Sequence, residues 1–392
     1  MSQELISHSP DLKKLRDEGY DIDEKDGHLL VRHVPYVNSQ REVKYGILVS
    51  TLKLAGDRTD KPDTHVVYFA GEYPCKTDGS RITGIEHGSA RQELLPGLWI
   101  DHSFSNKPPQ GYENYHEKMT RYVAIIAVQA EAIDPNATAR TFPVYEAKEE
   151  ESVFKYIDTA SSRAQITLVT KKLAQGRVAI VGLGGTGSYV LDLVAKTPVR
   201  EIHLFDADVF SQHNAFRSPG APTVGELRQR LTKAAFFREK YSPMHRGIID
   251  HPDFIDATNV DQLQPMDLVF LCLDKGAAKR LIVDKLEELG KSFIDVGMGV
   301  ELKNDKLLGI LRVSTSTPDH RAAKRRIPFQ DGGADNEYAT NIQIADLNAL
   351  NAALAVIKWK KLWQFYLDLE REHNCTYMID GNELNNEEQH ET

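Results

Sequence analysis

The chain has 392 residues and a formal net charge of −9, so its charge gives no support for a nucleic-acid partner. No apolar run approaches the roughly 18 residues that a membrane-spanning helix needs, so we expect no membrane partner. The start lacks the layout of a signal peptide, and there are only three cysteines, none in a CxxC pair. These features favour a cytoplasmic protein with reduced thiols and no thiolate zinc site.

Residues 1–150 are predicted to form a smaller α+β domain. A short helix is expected after Pro10, followed by strands over HLLVRHV, GILVSTL, HVVYFA and YVAIIAVQA, which are rich in β-branched residues. Residues 138–154 are typical of a linker. The histidines of this region match no standard metal-site spacing, and Trp99, Tyr112 and Tyr115 around the KPPQGY turn form either a protein-docking surface or ordinary packing, so its function stays open.

Residues 151–370 are predicted to form an α/β domain. A helix is expected over FKYIDTASSRAQITLVTKKL, and then strand and helix patterns alternate: RVAIVGL, IHLFDAD, ELRQRLTKAAFFREKY, DLVFLCLD, KGAAKRLIVDKLEELG and SFIDVGM. This alternation predicts a mostly parallel sheet with helices on both faces, closed by a long helix within residues 342–369. Residues 371–392 are polar and acidic, and we expect them to be disordered.

A glycine-rich turn lies between the first strand and the next helix of this domain. It contains Gly182, Gly184, Gly185 and Gly187. Glycines at such a turn let phosphate oxygens approach the backbone, and the N-terminus of the helix adds unpaired N–H groups and a partial positive charge. The turn therefore predicts a nucleotide site, with tight helix–sheet packing as the alternative reason for the glycines.

Charged and amide residues follow at the ends of the next strands and in the loops behind them. They are Asp206, Asp208, Asn214, Arg217, Lys233 and Asp274. A carboxylate at the end of the second strand can bind ribose hydroxyls in NAD enzymes and ATP enzymes alike. Cations beside the phosphates, and a strand-end carboxylate that can bind Mg²⁺, favour chemistry at phosphorus over hydride transfer.

Together these motifs, over about residues 163–366, resemble the adenylation domain of the ThiF, MoeB and ubiquitin-activating enzyme superfamily. The resemblance implies a Rossmann-like fold that uses ATP and Mg²⁺ to adenylate the C-terminal carboxylate of a ubiquitin-like protein. It also implies a ubiquitin-like partner that ends in glycine, a possible conjugating enzyme, and a homodimer. The first domain resembles a domain of unknown function found ahead of bacterial ThiF-type domains, which suggests partner recruitment.

The resemblance assigns roles to residues one by one. Asp206 would bind the ribose, Asn214 and Arg217 the phosphates, and Lys233 the α- or β-phosphate. Asp274 would hold Mg²⁺. Arg163 would stand in the place of the family's N-terminal phosphate-binding arginine, and Asp208 is grouped with the nucleotide-binding residues, with a turn acid as the alternative.

The step after adenylation is left open by the sequence. The segment where relatives carry an acceptor cysteine has none here, so the acyl group would pass to Cys375 or Cys75, to a hydroxyl of the STST run at 314–317, or directly to a partner. A basic cluster, RAAKRR at 321–326, follows as a candidate crossover loop or an ordinary solvated loop. Sulfur-carrier activation, an NAD-dependent oxidoreductase and a non-catalytic docking subunit remain the alternative functions.

Overall fold

The structure is a computed structural model that describes residues 2–150, 152–329 and 342–386. The chain divides into two compact units, residues 1–145 with 159–164, and residues 146–158 with 165–392. Within the described ranges, no helix combines the length and the apolar character that crossing a bilayer requires.

The first unit is built on a six-stranded antiparallel sheet, with strand order β1-β2-β3-β6-β8-β7. Its elements in chain order are α1 (Ser2–His8), α2 (Pro10–Asp17), β1 (Ile22–Lys25), β2 (His28–Val37), β3 (Val43–Thr51), β4 (Leu54–Ala55), β5 (Arg58–Thr59), β6 (Val66–Ala70), β7 (Glu86–Leu95), β8 (Leu98–Ser105), α3 (Tyr115–Glu131) and α4 (Thr159–Arg163). The α+β class predicted for this region is therefore observed.

Helix α3 covers the segment YVAIIAVQA, so the strand predicted there is wrong. The side chain of Asn114 accepts a hydrogen bond from the backbone N–H of Glu117 and caps the helix. Buried side chains then recur every four residues, at Tyr122, Ile126 and Ala130. This spacing places them on one helical face, which packs against β2 in the core of the unit.

A lysine lies inside this core. The side chain of Lys118, on α3, is fully buried, and its Nζ donates to Ser50 Oγ at 2.8 Å and to the Thr64 carbonyl oxygen at 2.8 Å. Burial disfavours the ammonium form and lowers the pKa of Lys118 to about 8. The stability of the first unit should therefore depend on pH.

The second unit is built on an eight-stranded sheet, with strand order β11-β10-β9-β12-β13-β14-β15-β16. Its elements are α5 (Thr167–Thr170), β9 (Arg177–Val181), α6 (Gly185–Val194), β10 (Glu201–Phe205), α7 (Gln212–Ala215), α8 (Val224–Gln229), α9 (Lys233–Tyr241), β11 (Ile248–His251), β12 (Leu268–Leu271), α10 (Gly276–Glu288), β13 (Ser292–Lys303), β14 (Lys306–Ser316), α11 (Ala345–Leu362), β15 (Asn374–Met378) and β16 (Glu383–Asn386). The first five strands in this order, β11, β10, β9, β12 and β13, run parallel to one another. Strands β14, β15 and β16 then each pair antiparallel with the strand before them.

Successive residues of the central strands face opposite cores. Val178 and Ile180 of β9 belong to one hydrophobic cluster, which also contains α11 through the fully buried Trp359. Ala179 and Val181 belong to the other cluster, with residues of α10. Helices therefore cover both faces of the sheet, which confirms the predicted mostly parallel α/β fold.

Two predicted helices are broken. The helix expected over 154–173 is reduced to α4 and α5 with one 3₁₀ turn, and Gln165 between them has a φ of +58° that no helix accommodates. The helix expected over 226–241 is split at Arg230, which has a φ of +54°. The helix resumes at Lys233, capped by Thr232, so Lys233 lies at a helix N-terminus.

The prediction that the polar tail is disordered from residue 371 onward is wrong for most of that segment. Residues 374–378 and 383–386 form β15 and β16, and β15 pairs with β14 from Ser314 to Ile310. Backbone hydrogen bonding to an existing sheet edge stabilises strands even where side chains are polar. The remainder of that prediction, residues 387–392, lies outside the described part of the chain.

Candidate functional site

A cavity of about 620 Å³ opens in the second unit at the C-terminal ends of the parallel strands. Its wall is formed by the turn after β9, the ends of β10 and β12, the first turns of α6 and α10, and parts of β13 and β14. Ligands of open α/β sheets bind at this edge, because the strand ends and helix N-termini converge there.

The glycine turn forms one side of the cavity, with Gly182, Gly184 and Gly185 in the wall. Gly182 has a φ of +89°, and a Cβ there would lie 2.7 Å from the carbonyl oxygen of Cys272. Gly187 is not part of the wall, and a Cβ on it would lie 1.9 Å from the carbonyl oxygen of Gly182. Three of the predicted glycines thus face the cavity, whereas Gly187 allows α6 to pack closely against the turn.

Asp206 holds the turn in place from the end of β10. Its Oδ2 accepts a hydrogen bond from the Leu183 N–H at 2.7 Å, and its Oδ1 accepts one from the Asp208 N–H at 2.9 Å. Burial raises the pKa of Asp206, an effect that the charge of Lys233 opposes. Oδ2 also accepts from Lys233 Nζ at 3.5 Å, whereas Oδ1 keeps one further lone pair that can accept from a ribose hydroxyl.

Lys233 joins the two acids at the cavity wall. Its Nζ lies 2.7 Å from Asp208 Oδ2 and 3.5 Å from Asp206 Oδ2, and the lysine is 7% exposed. The pairing holds the ammonium group of Lys233 at the cavity wall. A bound phosphate would compete with Asp208 for this cation.

The other predicted residues divide between the cavity wall and the surrounding structure. Arg217 and Asp274 line the cavity, and the buried Nε of Arg217 has no hydrogen-bond partner among the described residues. Asn214 is buried behind the wall, where its Oδ1 accepts from the N–H of Ser211 at 2.8 Å and caps α7. Arg163 belongs to the first unit, with its guanidinium 5.5 Å from the ring centre of Phe142.

Sequence reasoning missed a second charged group at the wall. It consists of Lys279 on the first turn of α10 and Arg312 on β14, which both line the cavity, and of Asp295 on β13, which is not itself part of the wall. Asp295 is fully buried, with Lys279 Nζ 2.9 Å from its Oδ1 and Arg312 Nη2 donating to its Oδ2 at 2.7 Å. An aspartate inside the apolar run FIDV was the available signal, because a buried carboxylate needs cations nearby.

The charges of the wall suit a polyanion. Five cationic side chains line the cavity together with three carboxylates: Lys275, Lys279, Lys233, Arg217 and Arg312, with Asp206, Asp208 and Asp274. Residues 2–150, 152–329 and 342–386 contain no group of three or more His, Cys, Asp or Glu residues that could hold a metal alone. A single strand-end carboxylate such as Asp274 still fits Mg²⁺, which binds through one or two carboxylates, with phosphate oxygens and water as further ligands.

The thiols and hydroxyls considered as acyl acceptors are poorly placed for attack. Burial raises the pKa of Cys75, Cys272 and Cys375, so each thiol stays protonated near neutral pH. Ser314 and Ser316 of the STST run are fully buried in β14. In the candidate crossover loop, Arg321 donates to Ser316 and to the backbone, and Lys324 pairs with Asp284 and Glu287.

Family models match both parts of the chain. Residues 10–159 match a family described as a domain of unknown function, DUF6791, and residues 158–308 match the ThiF family. The chain contains a ThiF-family domain. This match confirms the resemblance predicted from the motifs, and the first match agrees with a domain of unknown function ahead of it.

The similarity to characterised relatives covers only part of this chain. The adenylyltransferase and sulfurtransferase UBA4 of Candida albicans is 29% identical over 163 residues, which are 41% of this chain and 36% of that protein. Ubiquitin-like modifier-activating enzyme 5 of Gallus gallus is 27% identical over 150 residues, 36% of this chain and 38% of that protein. The chain thus spans little more than a third of the length of either relative.

Among solved structures, E. coli MccB crystallised with MccA-N7isoASN is 16% identical, with a TM-score of 0.49. The similarity covers 59% of this chain and 72% of MccB.

Proposed function

We propose that the chain is an adenylyltransferase that uses ATP to activate the C-terminal carboxylate of a ubiquitin-like protein. The observation that carries the proposal is the convergence of the glycine turn, Asp206, Arg217, Lys233 and Asp274 on one cavity within a ThiF-family domain. The names of the relatives, an adenylyltransferase and a ubiquitin-like modifier-activating enzyme, support the same reaction.

The reaction forms one bond and breaks another. A carboxylate oxygen attacks the α-phosphorus of ATP, the bond from that phosphorus to the bridging oxygen breaks, and pyrophosphate leaves with the electron pair. The products are an acyl-adenylate and pyrophosphate. Negative charge grows on the phosphate oxygens during this step, and fixed cations stabilise it without reorganising.

The residues of the cavity have separate tasks in this proposal. The N–H groups at the start of α6 and the cations Arg217 and Lys233 bind the phosphates, and Asp206 fixes the turn and accepts from the ribose. Asp274 would hold Mg²⁺, which offsets charge on the phosphate oxygens when bound. Arg163 as a phosphate ligand, the homodimer, and the first unit as a recruiting domain for a conjugating enzyme belong to the same proposal.

The test is the exchange of radiolabelled pyrophosphate into ATP by the full chain with a candidate ubiquitin-like protein ending in glycine. The matched control is the same protein with its C-terminus amidated, which removes the nucleophile. We expect exchange with the free acid alone, and loss of exchange in Arg217→Ala. Exchange that does not depend on the free carboxylate, or binding of NAD in preference to ATP, would sink the proposal.

Activation of a sulfur carrier is the second candidate, because UBA4 is named an adenylyltransferase and sulfurtransferase. Both candidates share the adenylation step and differ in the fate of the adenylate. Mass spectrometry of the carboxylate protein after reaction in whole-cell extract separates them. A thiocarboxylate adds the mass of sulfur minus oxygen, whereas conjugation gives a branched peptide on a second protein.

A further inference from the structure

The cavity has a second positively charged region, separate from the glycine turn. Lys279 and Arg312 share the single carboxylate of Asp295, which has 0% of its surface exposed. Lys279 is 4% exposed as a residue, and the side chain of Arg312 is 15% exposed. Two cations against one carboxylate leave an excess positive charge that is largely removed from water at the cavity wall.

The position of Arg312 is fixed by neighbouring strands. Its Nη1 donates to Ser314 Oγ at 2.7 Å, and Ser314 Oγ in turn donates to Asn374 Oδ1 at 2.8 Å. Gly297 pairs with Arg312 across the β13–β14 ladder, and a Cβ on Gly297 would lie 2.6 Å from Arg312 Nη2. The guanidinium therefore lies over a residue without a side chain and is held on two sides, so it is preorganised to bind.

An unsatisfied acceptor lies in the same wall. Asn351 on α11 is fully buried, and its Nδ2 donates to the carbonyl oxygen of Gly297 at 3.0 Å. Its Oδ1 is buried and has no hydrogen-bond partner among the described residues. Buried acceptors are nearly always satisfied in native proteins, so this oxygen indicates a donor that arrives with a ligand.

Both features disfavour the empty cavity. Two largely buried cations that share one counter-ion and a buried acceptor without a donor each cost free energy, which a bound group can recover. The group that satisfies both has an anionic oxygen for the cations and an N–H for Asn351.

We propose that Lys279 and Arg312, held by Asp295, form a second anion subsite that binds carboxylate or phosphate oxygens of the cavity's ligand. Asn351 accepts a hydrogen bond from an N–H of the same ligand assembly. In this cavity the anionic oxygens come from the carboxylate of the acyl substrate or from the nucleotide phosphates. The identity of these two sources rests on the proposed function. The existence of the subsite does not.

The experiment uses the full chain and Arg312→Met, which removes one cation and leaves Lys279 and Asp295 as a balanced pair. The matched control is Lys306→Met, because Lys306 is an exposed cation of the same strand outside the cavity wall. Titration calorimetry measures affinity for α,β-methylene ATP and for adenosine. It also measures affinity for N-acetyl-glycylglycine and its amide, each added to protein saturated with the nucleotide analogue.

The two sources give different results. If the subsite binds the carboxylate, Arg312→Met weakens acetyl-glycylglycine binding by tenfold or more and leaves the nucleotide affinity within twofold. If it binds phosphate, the variant weakens the nucleotide analogue by tenfold or more and leaves adenosine unchanged. Lys306→Met changes neither affinity.

Wild-type-like affinities for every probe in folded Arg312→Met overturn the subsite. Should that variant fail to fold, Lys279→Met replaces it, since Asp295 and Arg312 then remain as a balanced pair. A wild-type chain that binds no nucleotide analogue instead refutes the proposed function. The subsite is then judged on acetyl-glycylglycine against its amide without nucleotide, and equal affinity in wild type and Arg312→Met overturns it.

Discussion

The substitution Gly187→Ala tests the geometry of the glycine turn, because the structure predicts whether it raises or lowers the melting temperature. Alanine is normally more stable than glycine inside a helix by about 1 kcal/mol, so Gly187→Ala in α6 would stabilise the second unit if nothing lay nearby. The structure predicts the opposite. The new Cβ would lie 1.9 Å from the carbonyl oxygen of Gly182 and 3.0 Å from Cys272 Cβ, whereas non-bonded atoms prefer separations of roughly 3.5–4.0 Å.

The magnitude follows from the backbone shift that the methyl group requires. The clashing atom is a main-chain oxygen, so the turn itself must move, and overpacking of this kind costs about 1–3 kcal/mol. A change of 1 kcal/mol moves the melting temperature of a domain this size by roughly 2–4 °C. We therefore expect a loss of about 2–12 °C, together with at least tenfold weaker binding of α,β-methylene ATP.

The assay is thermal unfolding followed by the fluorescence of Trp359 and Trp363, which lie in the second unit. The matched control is Gly184→Ala, because a Cβ on Gly184 meets no atom within 4 Å and its φ is −68°. That variant should melt within about 2 °C of wild type, as expected for an unstrained substitution. A Gly187→Ala protein that melts at or above the Gly184→Ala protein would refute the close approach of α6 to the turn.

Three further predictions concern the metal, a buried lysine and the thiols. Asp274→Asn should lower magnesium-dependent pyrophosphate exchange at least a hundredfold with an unchanged melting temperature, and near-normal exchange would remove Asp274 from metal binding. Because the pKa of Lys118 is about 8 when folded and 10.5 in the unfolded reference, the unfolded chain binds more protons between these pH values. Stability of the first unit should therefore rise by about 3 kcal/mol from pH 8 to pH 10.5, and urea unfolding of Lys118→Met should lack this rise. A Cys75→Ser, Cys375→Ser double variant should form the adenylate at the wild-type rate, measured as pyrophosphate release, since both thiols are held protonated; a tenfold loss would contradict this.

Local patterns were enough to predict which residues meet at the glycine-turn side of the cavity. Gly182 and Asp206 each follow a strand directly and Asp274 lies three residues after the end of β12, and parallel strands bring their C-terminal ends to one edge. Arg217 and Lys233 lie in short segments tied to the same loop, because the Lys233 N–H donates to the carbonyl oxygen of Asp208. The sequence pattern therefore predicted, without knowledge of distant contacts, that these residues share one cavity, and their binding roles stay predictions.

The second charged region depends on contacts that no local pattern contains. Arg312 reaches Asp295 only because β13 and β14 pair antiparallel with Ser314 opposite Asp295, and this register is set by the hairpin as a whole. Asn351 comes from a helix more than fifty positions along the chain from Gly297. The same limit explains the error at YVAIIAVQA, because a short apolar run is compatible with a strand or a buried helix until its partners are known.

Strand β15 supports the strand that carries Arg312, and so contributes to the cavity wall. It covers the outer side of β14, and its first residue, Asn374, accepts the hydrogen bond that orients Ser314 beneath Arg312. A shortened protein that stops before residue 374 would leave β14 as a bare sheet edge, the kind of surface on which chains aggregate. The last described strands thus replace this edge by β16, a short and exposed strand of four residues, which is a poorer template for pairing with another chain.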